Sequence, residues 1–215
     1  MARVQRFAAG LIALVVVLAS AQAADRPVKI VALGDSITAG YGLPTDQAFP
    51  AKLTRALEAK GYAVSIANAG VSGDTTGGGL DRLDWSVPQG TEAVILELGA
   101  NDMLRGLDPA ATKTTLEEIL SKLDQRHIPV LLVGMKAVRN LGLDYARNFD
   151  AIYPALASTH SVVFYPFFLD GVATDPQFNQ GDGLHPNAAG VDVIVARILP
   201  QVETLIVRAR VARGS

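Results

Sequence analysis

The chain has 215 residues, a formal net charge of -2 and no cysteine. That excludes a disulfide framework, a thiolate nucleophile and a cysteine metal site. A mildly acidic chain without a Lys/Arg cluster lacks the electrostatic footprint of a nucleic-acid binder, so no nucleic-acid partner is expected.

Residues 1–23 read as an export signal. Arg3 and Arg6 give a positive start, an apolar stretch that includes Leu11 and Leu18 follows, and Ala21-Gln22-Ala23 is a small-x-small cleavage site. The apolar run falls short of the ~20 residues that a bilayer span needs, so no stable membrane insertion is expected after cleavage. Residues 24–215 are then expected to form a single domain, monomeric, delivered to the periplasm or secreted.

In chain order, 28–33 is a short β-branched apolar run and reads as a buried parallel strand, followed at once by Gly34-Asp35-Ser36. Thr45 or Asp46 caps a helix to about residue 60, with Gly61 as its terminator. A second strand, 62–67, ends in the polar glycine-rich loop 68–76, and a short helix then carries Leu80, Leu83 and Trp85. A third strand, 92–98, ends in Gly99-Ala100-Asn101-Asp102. Asp108 at the cap and Pro109 after it open a helix to about residue 126. The remaining strands are 129–133 and 161–165, separated by a loop over 134–142 and one helix over 144–157. The segment 166–179 has no clean period; the last helix starts near Pro186 or Asn187 and runs to about residue 207, kinked or interrupted at Pro200, with a basic frayed tail. Five apolar strands alternating with helices imply parallel βαβ units and a three-layer α/β/α architecture.

Polar residues collect after the first three strands and before the last helix, which in a parallel sheet is one edge. Ser36 needs a base to attack a carbonyl. Of the three histidines, His127 and His160 lead into strands at the opposite edge and read as surface or packing residues. His185 enters a helix at the right edge, with Asp182 three residues earlier. That spacing lets a carboxylate reach Nδ1 and fix the tautomer that takes a serine proton at Nε2. The alternative for this pair is a helix cap beside a partly buried histidine. Oxyanion donors are available in the Ser36 and Gly73 N–H groups and the Asn101 amide, although Gly73 also suits a plain turn and Asn101 an Asx turn. Asp35, Asp74 and Asp102 adjoin these residues and are expected to bond loop N–H groups. No metal site is expected, since neither a His-x-x-x-His nor a Cys pair occurs. There is neither a P-loop nor a Gly-x-Ser-x-Gly elbow.

Four blocks in order, Gly34-Asp35-Ser36, Ser72-Gly73-Asp74-Thr75, Gly99-Ala100-Asn101-Asp102 and Asp182-Gly183-Leu184-His185-Pro186, resemble the SGNH, or GDSL, hydrolase family. The similarity is closest to its bacterial periplasmic thioesterase I/lysophospholipase and arylesterase branch, which the runs 34–41, 97–102, 104–106 and 151–154 also resemble. The resemblance implies Ser36 as nucleophile, His185 as base and Asp182 as orienting acid. It implies an oxyanion hole from Ser36, Gly73 and Asn101, a flavodoxin-like strand order of 2-1-3-4-5, and no cofactor. The branch often carries a proline in the loop after the fourth strand; here 135–142 has none, so acyl-chain preference does not carry over. Met103, Leu104, Val138 and the stretch 164–169 are expected to line an apolar acyl site.

The function expected is a secreted serine esterase or thioesterase, acting on acyl or aryl esters, acyl thioesters or lysophospholipids through an acyl-enzyme. A carbohydrate acetyl esterase is the alternative within enzymes. A periplasmic binding protein with the same fold is the alternative outside them.

Overall fold

In a computed structural model of the chain, the described residues are 26–214; the expected export signal lies outside them. Five strands form one parallel sheet: β1 Val28–Gly34, β2 Val64–Gly70, β3 Ala93–Glu97, β4 Val130–Val133 and β5 Val163–Tyr165. Their order is β2-β1-β3-β4-β5, with every pairing parallel. β1, β3 and β4 are buried along almost their whole length, as strands covered on both faces must be.

The helices are α1 Ser36–Ala39, α2 Phe49–Ala59, α3 Thr76–Asp81, α4 Leu83–Ser86, α5 Ala100–Leu104, α6 Pro109–Gln125, α7 Leu143–Asp150, α8 Ile152–Thr159 and α9 Ala188–Gly214. α9 packs on α2 and crosses β1, β3, β4 and β5, while α6 packs on α3, α7 and α8. Leu33, Leu53, Leu96, Leu132 and Ile198 are sealed in the core. Burial of each such side chain stabilises the fold by about 1.5–3 kcal/mol.

Several elements depart from their expected bounds for local reasons. Thr45–Gln47 is a single 3-10 turn, and the α-helix begins at Phe49 with Pro50 in its first turn, where a missing N–H costs nothing. The helix expected over 144–157 is two helices, α7 and α8, divided at Ala151. Pro154 explains the division: it has no N–H for the Asp150 carbonyl, and its ring crowds that group. Pro200 does not interrupt α9, whose residues on either side, Ile198 and Val202, are both buried. Nor are residues 208–214 of the basic tail frayed. α9 continues to Gly214, and Arg213 makes a two-pronged contact with Glu92 at 2.8 Å through each nitrogen.

Two close approaches fix where the first site residues sit. β1 ends with Gly34 beside Gly70 of β2 and Glu97 of β3. A Cβ at Gly70 would lie 2.2 Å from the Ala39 nitrogen, so glycine there lets α1 lie against the end of β2. Among the described residues, no helix is long and apolar enough to cross a membrane.

Candidate active site

Ser36 is the first residue of α1, separated from the end of β1 by Asp35 alone. Asp35 caps that turn, its Oδ1 accepting the Ile37 N–H at 2.9 Å. The neighbouring residue does the capping, and the buried Ser36 is left to line a cavity.

The second half of the site comes from the loop before α9. Asn179 and Pro186 form an antiparallel bridge, and the Gln180 N–H donates to the His185 carbonyl at 2.8 Å. Gly183, with φ +70, supplies the left-handed residue that closes this loop. Asp182 turns back on it: Oδ1 accepts the Leu184 and His185 N–H groups at 2.9 and 3.0 Å, and Oδ2 lies 2.6 Å from His185 Nδ1. The His185 backbone N–H, its ring and the Leu184 N–H hold the Asp182 carboxyl down at about 2. The ring therefore presents Nδ1–H to an anionic acceptor, and Nε2, 2.9 Å from Ser36 Oγ, is left as the acceptor of the serine hydroxyl.

The two halves are tied together. Gln180 Nε2 donates to the Tyr41 carbonyl at 2.7 Å and to the Pro186 carbonyl at 3.0 Å, and the Tyr41 ring lies 4.7 Å from that of His185. On α2, the buried Lys52 bonds both the Ala188 carbonyl and Asp192 at 2.7 Å, holding the start of α9.

Donor groups border the serine from two further loops. Asn101 lies in α5, and its Nδ2 donates to the Asp74 carbonyl at 2.9 Å and to Asp35 Oδ2 at 3.2 Å. Gly73 sits in the 71–74 turn at φ +86, which explains the glycine, and its carbonyl accepts from Arg105 at 2.7 Å. Among the described residues no acceptor takes the Ser36 or Gly73 N–H. Of the other acids, Asp102 takes the Thr76 N–H and hydroxyl at 2.8 and 2.6 Å and so pins α5 to α3.

Beside Ser36 and His185 lies a cavity of about 170 Å³. Met103, Leu104 and Val138 line it, together with Phe167 and Leu169 from the 164–169 stretch; Gly73 does not line it. His127 and His160 lie at the other end of the sheet, His127 as the left-handed residue closing α6 and His160 at the end of α8.

Sequence reasoning missed three supports. Arg82, 6% exposed, bonds Asp74 at 2.5 Å and the Ala69 and Gly34 carbonyls at 2.8 Å, bracing the loop that carries Gly73. Gln180 carried no motif. Glu97 did carry a signal, as an acid at the end of an otherwise apolar strand.

This sheet order, with a serine just past β1 and an Asp-x-x-His loop before the last helix, is that of the SGNH hydrolases. The chain belongs to the GDSL-like lipase/acylhydrolase family, which matches residues 32–193, and it is a carboxylic ester hydrolase. It is 38% identical to "Thioesterase 1/protease 1/lysophospholipase L1" of Escherichia coli (strain K12) over 194 residues, 90% of each chain. It is 38% identical to the arylesterase of Vibrio mimicus over 177 residues, 82% of this chain and 88% of that one. Among solved structures, AlinE4, an SGNH-hydrolase family esterase, is 46% identical with a TM-score of 0.71, over 83% of this chain and 96% of that one.

Proposed function

We propose that the chain is an exported serine esterase that works through an acyl-enzyme on Ser36. The observation that carries this reading is the unbroken relay from Asp182 Oδ2 through His185 to Ser36 Oγ, with bonds of 2.6 and 2.9 Å. In the first half-reaction His185 Nε2 takes the Ser36 proton as Oγ attacks the ester carbonyl. Asp182 stabilises the imidazolium so formed. The oxyanion draws on the Ser36 and Gly73 N–H groups and the Asn101 amide. His185 then protonates the leaving alcohol or thiol, and in the second half-reaction activates the water that releases the acid.

The leading segment 1–23 acts as the export signal in this reading, and residues 24–215 are the mature single domain, a monomer in the periplasm or outside the cell. The relatives named for arylesterase, thioesterase and lysophospholipase activity support acyl esters and thioesters as the substrate class. The apolar wall of Met103, Leu104, Val138 and Phe167 fits an acyl chain better than a sugar. At about 170 Å³ the cavity is smaller than a usual ligand pocket of ~300–1,000 Å³, which favours short acyl groups. A p-nitrophenyl ester series from acetate to palmitate tests this. The expected optimum in kcat/KM lies between butyrate and octanoate, and an optimum at palmitate contradicts the assignment of the cavity as the acyl site.

A further inference from the structure

Of the buried acids among the described residues that take no part in the mechanism above, one has an unpartnered oxygen. Glu97 ends β3, is 1% exposed, and stands behind the nucleophile. Its Oε2 accepts the Thr38 hydroxyl at 2.7 Å and the Asp35 N–H at 3.4 Å. Its Oε1 is sealed from solvent, and no donor among the described residues reaches it. A buried polar oxygen left in that state is costly, so such atoms are rarely unpaired. The neighbouring acid is Asp35, fully buried, whose backbone N–H already bonds the other oxygen of Glu97 and whose carboxyl and that of Glu97 act on each other.

Both oxygens of Asp35 are already acceptors, Oδ1 for the Ile37 N–H and Oδ2 for the Asn101 amide. Two carboxyl groups in contact in a dry site cannot both ionise. The one supplied with donors on both oxygens keeps the charge, and the one with a bare oxygen takes the proton. Burial, then the charge of Asp35, pushes Glu97 well above the usual carboxylate range. Asp35 is pushed up by burial only to about 6, because the Ile37 N–H and then His185 hold it down. Asp74 also acts on Asp35, and Tyr153 on α8 faces Glu97, Asp102 and Asp35; the Tyr153 hydroxyl is committed to the Leu98 carbonyl at 2.9 Å.

We propose that Glu97 is a positioning residue for the oxyanion hole: as a neutral acid it donates Oε1–H to Asp35, and so fixes the carboxylate that aims the Asn101 amide. Asn101 holds both its N–H groups in place without substrate, and the longer bond, 3.2 Å, is the one to Asp35. Asp35 keeps that N–H pointed toward the site and shares it with the oxyanion as charge develops. The first residue of the Gly34-Asp35-Ser36 block belongs to the same arrangement. A Cβ at Gly34 would lie 2.2 Å from Thr38 Oγ1 and 2.7 Å from Glu97 Oε2, so only glycine leaves room for the acid.

The kinetic arm of the test rests on the esterase reading, and the spectroscopic arm does not. Carbon NMR of protein labelled at the glutamate carboxyl carbon is expected to show one glutamate still protonated at pH 8, lost in Glu97→Gln. The glutamine amide keeps a donor for Asp35 and an acceptor for Thr38, so kcat is expected within about threefold of wild type. Glu97→Leu keeps neither, and kcat is expected to fall about tenfold or more with KM within about twofold, the pattern of a lost transition-state interaction. Every glutamate ionised at pH 8, or a glutamine variant as impaired as the leucine variant, overturns the proposal. Should Glu97→Leu fail to fold by circular dichroism, the NMR signal and the glutamine variant decide. A wild type without turnover on any ester counts against the esterase reading, and the carboxyl signal still tests the protonation.

Discussion

Ser36→Ala is expected to lower kcat on p-nitrophenyl butyrate by about 10⁴-fold or more, with the circular dichroism spectrum unchanged. The size follows from the geometry. Ser36 Oγ is the atom that His185 Nε2 reaches at 2.9 Å, and no cysteine exists to replace it. The fold should survive because the turn is capped by Asp35, not by Ser36, and the α1 hydrogen bonds are made by main-chain atoms. Some turnover above the uncatalysed rate should persist, because the donor groups at Gly73 and Asn101 remain. A variant that retains more than about a tenth of wild-type kcat would remove Ser36 from the mechanism.

The second large effect is expected at Asp182. Asp182→Asn should lower kcat by about 10²–10⁴-fold near neutral pH while KM changes little. An amide at this position still accepts the Leu184 and His185 N–H groups through its oxygen, so the loop keeps its shape. What changes is the group facing His185 Nδ1 at 2.6 Å. There the amide nitrogen presents a donor and favours the tautomer with the proton on Nε2, which cannot accept from serine. The pH dependence has a definite sign. Asp182 is held down at about 2, first by the His185 N–H, so it stays anionic as pH falls and protonates only near that value. Loss of activity between about pH 4 and 6 in the wild type therefore does not come from Asp182 taking up a proton. Steady-state kinetics across pH on both proteins checks this, and equal kcat values would show that the carboxylate is dispensable.

How much of this was legible in the sequence depended on distance along the chain. The strands were legible because β1, β3 and β4 are short apolar runs that end in glycine or polar loops. Alternation of strands and helices implied the layers, but the strand order rested on the family resemblance, because pairing between β1 and β3 leaves no local mark. The pairing of Asp182 with His185 was readable from a three-residue spacing, and its edge of the sheet from the position of its loop. The separation of α7 from α8 was available in Pro154 and was missed because the apolar pattern continues through it. The order of the basic tail was not legible, since it depends on Glu92, 121 residues from Arg213. Arg82 and Gln180 act by bonding carbonyls of remote loops, for which sequence offers no pattern.

The most direct measurement is intact and peptide mass spectrometry of the enzyme quenched in acid during turnover of a slow ester. An acyl group carried on the peptide that contains Ser36, absent from Ser36→Ala, is the predicted result. Full turnover with no acylated protein, or an acyl group on a different residue, would contradict the account.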